Sequence, residues 1–127
     1  MLKRKKPGVT ARYRAQRRRA EQPVIKSVRG ACVKRDGYCR YAANAGTIDD
    51  CSGPSEWAHI GPMKRAHTMG MQPEERHTTA GTMMLCKRHH DQYDGRQKPR
   101  LLISALTEDG AEGPMFLRYG PKPLRSA

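Results

Sequence analysis

Four cysteines, one of them in the run Cys86-Lys87-Arg88-His89-His90, stand in a chain that is poor in everything else a core is built from. Hydrophobic residues fill only 36% of its 127 positions, with a single Trp and a single Phe. A domain this small and this sparsely apolar lies near the lower limit of what burial alone stabilises, so it calls for a staple. No secretory leader is recognisable, which predicts a reducing compartment, the cytoplasm, and directs the four thiols to a metal ion rather than to disulfides. No apolar stretch is long enough for a membrane span, so no membrane partner is expected. The length predicts one compact domain and excludes a large multidomain enzyme.

The spacing of the cysteines narrows the staple. Cys86 and His89 lie three apart at the start of a predicted helix, on one face, where a thiolate and an imidazole can grip one ion. Cys39 and Cys51 can supply the other pair from a loop, closing a Cys3His zinc site. His90, four residues from Cys86, lies near the same face, so spacing leaves His89 and His90 both open as the fourth ligand. Cys32 falls in an apolar helical register with Val24, Ile25, Val28 and Ala31, which makes it a small core residue.

Charge points to the partner. The chain carries 25 Lys and Arg against 12 Asp and Glu, a formal net charge of +13. Residues 1–22 hold much of it: Lys3, Arg4, Lys5, Lys6, Arg12, Arg14, Arg17, Arg18 and Arg19 stand against the lone acid Glu21. Such a block cannot bury enough surface to order itself, so it reads as a flexible basic arm that contacts nucleic acid, DNA or RNA, through phosphates.

Three segments follow from the pattern: the arm (1–22), a zinc-stapled domain (23–99), and a C-terminal hairpin and tail (100–127). Within the second, a short amphipathic helix opens at Pro23 and ends at Arg35-Asp36-Gly37. Residues 38–55 read as a long loop or loose hairpin, closing on a strand over 55–60. The stretch 61–81 has no clear period beyond one helical turn at 73–76. A short buried strand over 82–85 then leads into a helix that stops at Gly95. Residues 101–106 and 115–119 flank a polar turn as a terminal β-hairpin, which covers a sheet edge or takes a protein partner.

Taken in order, Arg35-Asp36-Gly37-Tyr38-Cys39, then Cys51, then Trp57-Ala58-His59-Ile60, then Met83-Met84-Leu85-Cys86-Lys87-Arg88-His89-His90 resemble the HNH endonucleases. The resemblance covers roughly residues 24–95. It implies an α+β fold with a small zinc-stapled ββα-metal core, and hydrolysis of DNA in a bacterial or phage-infected cell. It also implies that His59 is the general base that takes a proton from water. His90 becomes a ligand of a catalytic divalent ion (Mg2+, Mn2+, Ni2+ or Zn2+). Cys39, Cys51, Cys86 and His89 become the ligands of a separate structural Zn2+, with His89 in place of the family's usual fourth cysteine. Lys64, Arg65 and Arg76, with Arg96 and Lys98, would hold flanking phosphates.

Two positions depart from the family pattern. Ala58 stands where many members place a second metal ligand, and Gly81 stands where they place a middle Asn. His77 is close enough in sequence to replace that Asn, and Asp91 or Asp94 can add a carboxylate. The alternative is a zinc-containing DNA- or RNA-binding module whose HNH site has degenerated. Trp57 and Tyr93 read as packing residues, and His67 as loop surface.

Overall fold

The computed structural model describes residues 7–64 and 71–121, with side chains from residue 11 onward. Lys3, Arg4, Lys5, Lys6, Arg65 and His67 therefore lie outside the described residues.

Pro7–Asp36 form a single helix, α1, of 30 residues, about 45 Å long at the helical rise. Residues 7–22, expected within a flexible arm, are helical, and the helix expected to begin at Pro23 starts earlier. Arg, Ala, Gln and Glu dominate residues 11–22, and these are strong helix formers that need no buried face. An i,i+4 pair between Arg17 Nε and Glu21 Oε1, 3.0 Å apart, adds to them. Pro23 sits inside the helix on its exposed side, where its missing N–H leaves the carbonyl one turn back to water. Burial sets in toward the C-terminal end, where Val24, Ile25 and Val28 are half-buried and Cys32 and Asp36 are buried, while Ala31 stays exposed.

That buried stripe covers a two-stranded antiparallel sheet. Strand β1 (Ser55–His59) pairs with β2 (Thr82–Cys86), with Ser55 opposite Cys86 at one end and His59 opposite Thr82 at the other. All five residues of β2 are buried, as a strand covered on both faces requires. Asp36 fastens the helix to it: its carboxylate accepts from the Met84 backbone N–H (3.0 Å), from Arg35 (2.7 Å) and from Arg40 (2.8 Å). Burial pushes the Asp36 carboxyl up, but the hydrogen bonds from Arg35 and Met84 outweigh it and hold the group below its ordinary range. Cys32 Sγ lies 3.3 Å from Thr82 Oγ1, so it packs in the core as its register predicts.

Residues 38–55, expected as a long loop or loose hairpin, contain a short helix, α2 (Arg40–Ala45). Its alanines give no periodic signal, yet Ala42 is buried and Gly46 ends the helix at φ 77°, a conformation only glycine adopts without cost. A single helical turn, α3 (Pro73–Arg76), stands where expected. β2 runs directly into α4 (Lys87–Asp94), which Cys86 caps and Gly95 terminates at φ 81°.

The chain closes with a hairpin of β3 (Leu101–Ala105) and β4 (Met115–Tyr119), a second small antiparallel sheet. Arg40 donates to the carbonyls of Ala111 and Gly113, both at 2.9 Å, and Ala111 and Met115 enter the same core as Ala58, Met83 and Leu85. The fold is thus a small α+β arrangement with one long helix and two two-stranded sheets. No helix among the described residues is long and apolar enough to cross a membrane.

Candidate metal centre and histidine pair

The two ends of the β1–β2 sheet carry different chemistry. At the Cys86 end, the sulfur atoms of Cys39, Cys51 and Cys86 and a ring nitrogen of His89 lie within 4.8 Å of one another. Three pieces of chain bring them there: Cys39 precedes α2, Cys51 lies in the following loop, and Cys86 and His89 form the β2–α4 junction. The His89 Nδ1 atom is 2.9 Å from Cys86 Sγ, 3.5 Å from Cys39 Sγ and 3.7 Å from Cys51 Sγ. A tetrahedral zinc bound by sulfur at about 2.3 Å and nitrogen at about 2.0 Å has sulfur–nitrogen edges of about 3.5 Å. The Cys39 and Cys51 edges match this value and the Cys86 edge is shorter, so the cluster can hold a metal ion such as zinc with donors of the right type and number. Geometry selects His89 over His90 as the fourth member.

Electrostatics favours the same conclusion. Burial raises the Cys39 and Cys51 thiols above their ordinary range, and repulsion among neighbouring sulfurs adds to the shift. Thiols this close can ionise together only around a cation, a role that a divalent ion such as zinc can fill.

A second layer orients the imidazole. His89 is 0% exposed. Its Nε2 lies 2.9 Å from the Tyr119 hydroxyl and 3.3 Å from Asp50 Oδ2. Tyr119 in turn donates to Asp50, and Tyr41 stacks on the His89 ring with centroids 4.1 Å apart. With acceptors at Nε2, the proton stays there and Nδ1 presents its lone pair to the sulfurs. Sequence spacing could not find these partners, since Asp50, Tyr41 and Tyr119 are 30 to 48 residues from His89.

At the other end, His59 closes β1 and meets His77, which follows α3, with Nε2 of the former 2.9 Å from Nδ1 of the latter. Trp57 flanks both rings, at 4.8 Å and 5.4 Å between centroids. Burial, then the neighbouring His77 and Arg76, lower His59 to about 4. Burial and Arg76 also lower His77, against the pull of Glu21. Both imidazoles are therefore neutral at pH 7.

His90 stands apart from this pair. Its Nδ1 is 2.9 Å from Glu56 Oε1, and its Nε2 is 3.4 Å from Asp94 Oδ2. Glu56, which the sequence did not single out, lies two residues before Ala58 on the same face of β1. Asp94 was anticipated as a possible source of a carboxylate; Asp91 instead accepts from Lys87 and the backbone of Arg96.

The two departures have physical reasons. Ala58 is 1% exposed and belongs to the core, so a carboxylate there would be buried against Met83. A Cβ at Gly81 would come within 2.8 Å of Met63 Cγ and 3.0 Å of Thr78 Oγ1, so an Asn there would displace the Met63 side chain.

Of the basic residues, Arg12, Arg14, Arg18 and Arg19 are exposed on α1, while Arg17 is engaged by Glu21. Lys64 donates to the Tyr93 carbonyl at 2.9 Å and pairs with Asp94 at 3.3 Å. Arg76 is half-buried beside the histidine pair. Compared with family models, curated proteins and solved structures, the chain has no match.

Proposed function

We propose that this protein is a metal-dependent endonuclease of the HNH type that hydrolyses DNA phosphodiester bonds, with His59 as general base. The observation that carries the reading is a neutral, half-buried His59 at the end of β1, in a strand–strand–helix unit whose helix bears His90 in its first turn. Cys39, Cys51, Cys86 and His89 act as the structural zinc ligands that hold this unit to the preceding loop.

His90 has the Glu56 carboxylate beside its Nδ1 and the Asp94 carboxylate beside its Nε2, so a catalytic divalent ion at either nitrogen would have one imidazole and one carboxylate to hold it. Glu56 supplies on β1 an oxygen that Ala58 cannot. When bound, such an ion stabilises charge developing at the scissile phosphate and its leaving oxygen. His59, uncharged at neutral pH, accepts the proton of the attacking water. Arg12, Arg14, Arg18 and Arg19, exposed on both sides of the N-terminal part of α1, engage the DNA backbone.

A second reading, a DNA- or RNA-binding module that does not cut, is favoured by one observation. Both ring nitrogens of His90 are already engaged by carboxylates, and among the described residues the Cys/His cluster is the one converging ligand group. Nicking of supercoiled plasmid separates the two, using wild type and His59→Ala with Mg2+, Mn2+, Ni2+ or EDTA at low salt. The nuclease reading expects metal-dependent nicking that falls about 10²–10⁴-fold in His59→Ala, with zinc content and DNA affinity retained. Absence of nicking with every metal, in zinc-loaded protein that still binds DNA, would establish the binding module instead.

A further inference from the structure

Glu21 is the lone acid among the first 22 residues, and it is turned inward. One carboxylate oxygen accepts from Arg17 at 3.0 Å, and the other lies 3.7 Å from Nε2 of His77. The His77 side chain is 3% exposed, and its Nε2 is buried with no hydrogen-bond partner among the described residues. On its other side, Nδ1 of His77 meets Nε2 of His59 at 2.9 Å. Carboxylate, imidazole and imidazole thus form a line from α1 to the end of β1.

We propose that Glu21 and His77 are positioning residues that fix the tautomer of His59, so that its Nδ1 is the atom that takes the proton from water. The proposal rests on the reading of His59 as general base, and deepens it. A buried lone pair aimed at a carboxylate is repelled, whereas an N–H is attracted, so the His77 proton resides on Nε2. Its Nδ1 is then an acceptor. Two lone pairs cannot face each other at 2.9 Å, so His59 carries its own proton on Nε2 and donates it to His77. The bare nitrogen of His59 is Nδ1. When Nδ1 takes a proton, the water oxygen becomes the nucleophile, His59 becomes an imidazolium, and its Nε2–H stays bonded to His77. The Glu21 carboxylate offsets the new positive charge through His77, against the opposing Arg76 guanidinium nearby. In this way the basic helix contributes to the chemistry as well as to phosphate contact.

The test is histidine side-chain nitrogen NMR on the zinc-loaded full chain, alongside the plasmid assay. In wild type, His59 is expected to show a protonated Nε2 and a bare Nδ1 as a single tautomer. His77→Ala should give a tautomer mixture. His77→Asn, whose Oδ1 takes the place of the His77 Nδ1 acceptor, should restore the single form. Nicking should fall about tenfold in Glu21→Gln and about a hundredfold in His77→Ala, while His77→Asn, which restores the acceptor but not the group that faces Glu21, should fall only about tenfold. A proton on Nδ1 of His59 in wild type, or a tautomer unmoved by His77→Ala, would overturn the relay. A wild-type protein that fails to nick with every metal removes the nuclease reading instead, and the wild-type spectrum still decides the relay.

Discussion

The two ends of one five-residue strand pair, about 13 Å apart along the strands, solve opposite problems with histidine. At the Cys86 end, four side chains from three chain segments converge, and the outward nitrogen of His89 is held by Tyr119 and Asp50. At the His59 end, each of two imidazoles turns one nitrogen to the other, and burial keeps them uncharged. The first arrangement is closed and fits a resident ion. The second suits exchange of a proton, the role proposed for it here. Charge explains the difference: crowded thiols can ionise together only around a cation, whereas a neutral pair of rings needs none.

The comparison breaks most visibly at the cluster. Cys86→Ser is expected to lose the metal and the cooperative fold, since structural zinc contributes on the order of 10 kcal/mol in small domains. Thermal melting with and without a chelator checks it, and a variant that melts like wild type would refute the staple. Next in size, Asp36→Ala removes a buried carboxylate that ties α1 to β2, and should cost about 3–5 kcal/mol in urea unfolding while leaving zinc stoichiometry intact. Tyr119→Phe should weaken zinc about 10–100-fold in chelator competition, with the His59 tautomer unchanged, because the hydroxyl meets His89, Asp50 and Gln92 and not the histidine pair.

The smallest expected effect lies at the histidine end. Lowering of His59 to about 4 means the base stays neutral, and therefore competent, as pH falls through the ordinary histidine value near 6.5. Nicking should hardly change between pH 7 and pH 5.5 and should fall only toward pH 4, with zinc content measured in the same samples. Loss of rate with a midpoint near 6.5 would place His59 in ordinary solvent.

Local punctuation made much of the fold legible. Thr82-Met83-Met84-Leu85 is a buried run, Gly95 is a stop, and the two apolar segments near the C-terminus flank a turn, so β2, α4 and the hairpin could be placed from sequence. Pro23 misled, because proline normally marks a helix start or break, yet the arginine-rich residues before it continue the helix of those after it. The Ala-rich α2 has no period to read. At the metal centre, the four donors were legible from cysteine supply and the three-residue step from Cys86 to His89. Choosing His89 over His90 needed the actual direction of each ring. Tyr119, Asp50, Glu56 and the inward turn of Glu21 were invisible, since they act across long sequence separations that no spacing rule covers.

One metal ion is expected among Cys39, Cys51, Cys86 and His89, and none at the histidine pair. X-ray absorption at the zinc edge, on stoichiometrically loaded protein, tests it most directly. The account predicts one zinc per chain with three sulfurs at about 2.3 Å and one nitrogen at about 2.0 Å, unchanged in Cys32→Ala and in His59→Ala. A zinc shell rich in nitrogen and altered by His59→Ala, or a folded zinc-free protein with four reduced thiols, would contradict it.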